Sequence, residues 1–117
     1  METNTPGMSQ AAADVAYNPL HAMQYASPTT GQSVPFTNDS RDRTLWLTPA
    51  GTIAALTVPF PTSASSRPGR TVTIGTSKSI TILSLTGPIS ILNAITTMVA
   101  GDAFTFREMT SDVWAKI

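Results

Sequence analysis

A chain of 117 residues with no cysteine and one histidine, His21, has no disulfide framework and no thiolate nucleophile, and too few nitrogen and sulfur ligands for a zinc centre. Only 12% of the residues are charged and the net charge is zero. Residues 1–40 carry Glu2, Asp14 and Asp39 without Lys or Arg, giving −3, while residues 41–117 carry seven basic residues against four acidic ones, giving +3. So small and scattered an excess makes no phosphate-binding stripe, which argues against nucleic acid as the main ligand.

Threonine and serine occupy the places that charge usually takes, with 19 and 12 residues, and the branched Cβ of threonine favours strands. The first 20 residues have neither a basic start followed by an apolar run nor a segment long enough to span a bilayer. The expectation is therefore a soluble protein made in the cytoplasm, with no membrane partner.

In chain order, residues 1–9 show no periodicity. Ser9 caps the alanine-rich "QAAADVAY", which Asn18-Pro19 would end, so the pattern predicts a short helix over 10–17. Residues 18–40 mix Leu20, Met23, Tyr25, Val34 and Phe36 with three prolines and small polar residues. Such spaced large side chains suit an extended arm, residues 1–40, whose anchors fill pockets on a partner; the plainer alternative is a disordered leader.

From residue 41 the pattern becomes that of strands. "RTLWLT" (43–48) sets Leu45 and Leu47 on one face and Trp46 on the other, and "TIAALTVPF" (52–60) alternates likewise. Pro49 and Gly51 lie between them, so the two runs read as a hairpin. A loop at 61–70 precedes "TVTIG" (71–75), with Val72 and Ile74 inward, and "SITILSLTG" (79–87), where the alternation slips between Ile82 and Leu83.

Residues 88–102 are ambiguous between strand and helix, with Asn93 a candidate break. "AFTFREM" (103–109) aligns Phe104 with Phe106, and "SDVWAKI" (111–117) reads as a turn and a last strand. The sum is a mostly β domain over 41–117, a small antiparallel sandwich or barrel of six or seven short strands preceded by the extended N-terminal arm. A core this small, without disulfides or metal, calls for help from oligomerisation or docking.

Candidate chemistry is sparse. His21 with Asp14 and a serine could be named a triad, but a base in an extended arm is not held within reach of a nucleophile. "NDSRD" (38–42) offers oxygen ligands for calcium, yet lacks the calcium-loop glycine and distal glutamate and holds Arg41 at its centre; a polar hinge is the better reading. Asp102, Glu108 and Asp112 could supply paired carboxylates, against which stands their place beside turns. Trp46 and Trp114 could stack on a sugar, although strand aromatics usually pack in a core or interface. No catalytic, cofactor or metal residues are assigned, and a non-enzymatic structural or binding role follows by elimination.

The segments "TLWLTPAGTIAALTVPFP", "GRTVTIGTSKSITILSLTG" and "TFREMTSDVWAKI" resemble the small β-domains of tailed-bacteriophage virion proteins, those of head decoration (cement) proteins and of head- or tail-fibre domains. The resemblance covers about residues 42–117. It implies a non-enzymatic virion protein, a homotrimer bound to the major capsid protein on the capsid exterior. The arm anchors Leu20, Met23, Tyr25, Val34 and Phe36 would then bind the partner. The alternatives are a fibre, tail or baseplate adaptor and a carbohydrate-binding module using Trp46 or Trp114.

Overall fold

The structure, a computed structural model, describes residues 21–62, 65–88 and 90–117. The helix expected over 10–17, Asp14 and Leu20 lie outside the described residues. Within them the chain is mostly β, as expected, and the strands number eight. They are β1 (His21–Ala26), β2 (Asp42–Leu47), β3 (Ile53–Pro59), β4 (Thr71–Thr76), β5 (Ile80–Thr86), β6 (Ser90–Leu92), β7 (Ala103–Thr110) and β8 (Val113–Lys116).

Two sheets enclose the core, one ordered β1-β2-β4-β7-β8-β6 and the other β3-β5. The smaller sheet is wider than its two strands. Residues 31–36 run along β3 through Gly31 N–H to Ala55 O, Thr57 N–H to Gln32 O, Val34 N–H to Thr57 O and Phe36 N–H to Pro59 O. Residues 96–98 run along β5 through Leu83 N–H to Thr96 O and reciprocal bonds between Ile80 and Met98.

The hairpin expected around Pro49-Gly51 does not form. β2 and β3 lie in different sheets, β2 parallel to β4 and β3 parallel to β5. Leu45 and Leu47 on β2 and Ile53, Leu56 and Val58 on β3 are all buried in one core. The turn therefore carries the chain over that core, a gap of about 10 Å between packed sheets. Alternating strands joined by a turn look the same in sequence whether they pair side by side or face each other.

The same step recurs along the chain. β1 and residues 31–36, β2 and β3, β4 and β5 form three successive coils, each with one strand in either sheet, stacked in parallel register: His21 opposite Asp42, Leu45 opposite Ile74, Ile53 opposite Ile80. Antiparallel pairing, expected throughout, appears where β7 turns back along β4 and where β8 follows β7. Reversing the direction ends the stack.

The arm expected over 1–40 is thus shorter. Residues 21–36 are extended, but they make the first coil of the β-domain rather than a projection from it, because β1 pairs along its whole length with β2 and Phe36 is buried in the core. A cut after residue 37 would fall inside the stack.

Among the described residues, β1 is the edge of the stack on the side away from β7. In β1 the inward residues are Ala22, Gln24 and Ala26, small or polar where the ladder continues as Leu45, Ile74 and Phe104. The Gln24 amide donates to Pro35 O at 2.7 Å and accepts from Thr37 N–H at 3.0 Å, tying the two strands of the first coil together across the core's end. Solenoids need a terminal unit of this polar kind. Gln24→Leu is expected to destabilise the fold by about 1 kcal/mol, the net worth of such side-chain bonds, measurable by urea denaturation.

The slip of alternation in "SITILSLTG" has a counterpart in β3. Ile53, Leu56 and Val58 are buried in one strand, and Ile80 and Leu83 at matching register in the other, so both strands change face at the same level. Ile82 turns outward and is 57% exposed. At this bend Thr30 Oγ1 accepts from the amides of Ala54 and Ala55, at 2.9 and 3.0 Å, giving both a partner.

Candidate functional site

The expected arm anchors part company. Phe36 is buried and meets Phe60 edge to face, ring centroids 5.4 Å apart, and Val34 packs against the same core. Both serve the fold. Met23 and Tyr25 alternate with the inward residues of β1 and stand on its outer side, 45% and 69% exposed. Of the described anchors, these two are exposed.

The polar residues weighed for chemistry are bound to their own loops. Asn38 Oδ1 accepts from Thr62 N–H at 3.1 Å and from the Ser65 hydroxyl, while its amide donates to Thr62 Oγ1 at 2.8 Å. Asp39 pairs with Arg43 at 2.7 Å, and Asp42 accepts from Arg67 at 2.6 Å and from Thr71 N–H at 2.9 Å. The expected polar hinge is thus a clasp between the 37–42 and 61–70 loops. Among the described residues no three His, Cys, Asp or Glu side chains gather as metal ligands.

Glu108 sits deeper. Its Oε1 accepts from Arg70 Nε at 2.8 Å and Arg67 N–H at 3.0 Å, and its Oε2 accepts from Ser66 Oγ at 2.9 Å. Arg70 and Glu108 are 0% and 1% exposed, with the guanidinium 5.2 Å from the Trp114 ring centroid and bonded through Nη1 to Asp39 O. A carboxylate so enclosed and so fully bonded reaches no solvent-borne substrate. Asp102 accepts from Val99 N–H at 2.9 Å within a turn, and Asp112 takes a left-handed turn conformation at φ 61. Asp102 and Glu108 thus stand toward opposite ends of β7, and Glu108 is closed off from solvent.

The two tryptophans also separate. Trp114 is wholly buried, edge to face with Phe60 at 5.3 Å. Trp46 lies on the outer side of the large sheet, in a register row that reads Tyr25, Trp46, Gly75, Ala103 across four strands. A β-carbon added at Gly75 would sit 2.8 Å from Cε3 and 2.9 Å from Cζ3 of Trp46. The indole therefore leans across the neighbouring strand into space that only glycine leaves open.

Trp46 stands opposite Leu45 and Leu47, as their alternation requires. Its bed on Gly75 was signalled only by a lone glycine within a β-branched strand. Gly75→Ala is expected to push the ring off the sheet, changing Trp46 fluorescence and near-ultraviolet circular dichroism. The loss of stability should be at the low end of the ~1–3 kcal/mol typical of overpacking, because the displaced group is a surface side chain.

Rows of hydroxyls flank this aromatic row. On one side Ser27 and Thr48 are hydrogen bonded to each other at 2.9 Å; on the other lie the exposed Met23 and then Thr44, Thr73 and Thr105, the last two bonded at 2.8 Å. The next row toward the clasp brings His21, Asp42, Thr71 and Arg107. The outer face is thus neutral and hydroxylated around its aromatics and charged only at one margin. Compared with protein-family models, curated proteins and solved structures, the chain has no significant match.

Proposed function

We propose that this protein is a non-enzymatic structural component of a bacteriophage virion, a capsid decoration protein that binds the exterior of the head and works as an oligomer, with the major capsid protein as its partner. The observation that carries the reading is a surface of low charge on which large apolar side chains stay uncovered: Tyr25 at 69%, Met23 at 45%, Leu92 at 51% and Met109 at 56% exposed. Such side chains suit burial in an assembly. The virion and head assignment comes from the sequence resemblance of the "TLWLTPAGTIAALTVPFP", Gly-Arg and closing Trp segments.

One feature favours a second reading, a fibre, tail or baseplate adaptor: parallel coils lengthen by adding further coils, which suits a shaft. Counting copies parts the two. In purified particles of the encoding phage, quantitative mass spectrometry should find this chain in amounts comparable to the major capsid protein. A few copies per particle would move it to the tail, and absence from the particle would overturn the virion reading altogether.

A further inference from the structure

We propose that the outer face of the large sheet is a binding platform for a neutral hexopyranose glycan, centred on Trp46. The proposal does not need the virion assignment, but it uses Tyr25, which the assembly reading also uses, so the two compete for this face. Pyranose rings present a flat patch of C–H groups on one side and a rim of hydroxyls around it. They are held by an aromatic ring against the patch and by hydrogen-bonding groups at the rim.

The face supplies both. Trp46 is half-buried and leans over Gly75, and Tyr25 is its cross-strand neighbour. The hydroxyls of Ser27 and Thr48 stand one row to one side, those of Thr44, Thr73 and Thr105 one row to the other. Two residues along a strand span about 6.6 Å, so the two hydroxyl rows bracket a sugar ring seated on the indole. Rigid strands fix the backbone positions in advance, which lowers the ordering cost of binding.

The charges select the ligand class. These three rows hold no ionisable group except the Tyr25 phenol, and Arg107 lies beyond them with Asp42, which already pairs with Arg67. A nucleic-acid strand would need basic groups beside the stacking ring. An acidic polysaccharide would need the same. A neutral glycan needs neither.

The test uses the full chain and three soluble probes, cellohexaose, laminarihexaose and maltohexaose, followed by tryptophan fluorescence and backbone amide shifts. Because Trp114 is buried, a fluorescence response reports Trp46. At least one probe should bind at millimolar concentration and shift amides of β1, β2 and β4, and Trp46→Ala should abolish the response with far-ultraviolet circular dichroism unchanged. Thr44→Val, which keeps shape and removes one hydroxyl, should weaken it.

If Trp46→Ala fails to fold, the amide shifts of the unaltered protein still decide. No binding by any probe, or binding mapped to other strands, overturns the proposal. So does a finding that these amides respond to protein concentration rather than sugar, which would make the face a contact between copies.

Discussion

Phe60→Ala is expected to cost about 3–5 kcal/mol of unfolding free energy, the range for deleting a buried aromatic side chain, and to be among the most damaging single changes in the chain. Phe60 follows β3, is 2% exposed, and touches three aromatic rings edge to face. They are Phe36 at 5.4 Å, Phe106 at 5.3 Å and Trp114 at 5.3 Å. Each such pair contributes about 0.5–1.5 kcal/mol beyond the area it buries.

The partners come from three parts of the fold: Phe36 from the first coil, Phe106 from β7 and Trp114 from β8. Phe60 thus joins the start of the stack to the strands that close it. Its backbone is held as well, since its N–H donates to Thr86 O at 2.8 Å and its carbonyl lies 3.0 Å from where a β-carbon on Gly87 would sit. The ring cannot shift to fill a void without moving that crossing. Against total stabilities of about 5–15 kcal/mol for small domains, such a loss leaves little.

Urea denaturation followed by both circular dichroism and tryptophan fluorescence would measure it. A loss below about 1 kcal/mol would mean that the aromatic cluster is not the joint between first coil and cap. Phe60→Leu should recover part of the loss, because volume returns while the edge-to-face geometry does not.

Parity was legible in β2, β4 and β7, but not in β3 and β5, where the alternation expected to set Ile53 opposite Leu56 and Val58, and Ile82 beside Ile80, is broken by a change of face. Leu45 and Leu47, Val72 and Ile74, Phe104 and Phe106 all face inward as their spacing requires. What a strand pairs with was not legible. The run from Thr48 to Gly51 serves equally to fold a strand beside its predecessor or across the core, and only the shared burial of Leu47 and Ile53 in a single interior decides for the second.

The arm misled for a related reason. Residues 21–36 lack the apolar alternation of a buried strand because they form the end of the stack, where inward positions hold Ala22, Gln24 and Ala26, and the bulky Met23 and Tyr25 point out. A terminal coil inverts the usual pattern, and such an inversion reads as absence of structure. Phe36 looked like an anchor for another molecule because a large ring among prolines and threonines has no nearby partner in sequence. Its partner, Phe60, lies in the next coil. The outer face was half visible: Trp46 was placed opposite the core, but the hydroxyl rows beside it exist only once parallel register sets Thr44 against Thr73 and Thr73 against Thr105.

Glu108→Leu should cost about 3–5 kcal/mol, because it leaves the guanidinium of Arg70 buried without its counter-charge. Both members are almost fully shielded, at 0% and 1% exposure, so water cannot take the place of the carboxylate. The change also removes the acceptor for Arg67 N–H and for the Ser66 hydroxyl, which loosens the 61–70 loop from β7. The backbone bonds Gly69 N–H to Glu108 O and Glu108 N–H to Arg70 O remain, so the loop should stay near its place while its side chains lose order.

Adding Arg70→Met to Glu108→Leu removes the orphaned charge. The double variant is expected to be no less stable than Glu108→Leu alone, although it gives up the cation over Trp114 and the bond to Asp39 O. Salt separates this pair from the partly exposed Arg67–Asp42 bridge, whose side chains are 34% and 35% exposed. The effect of Glu108→Leu should persist in high salt, and that of Asp42→Asn should be smaller and should shrink. Equal and salt-sensitive effects at the two sites would mean that solvent reaches the Arg70–Glu108 pair.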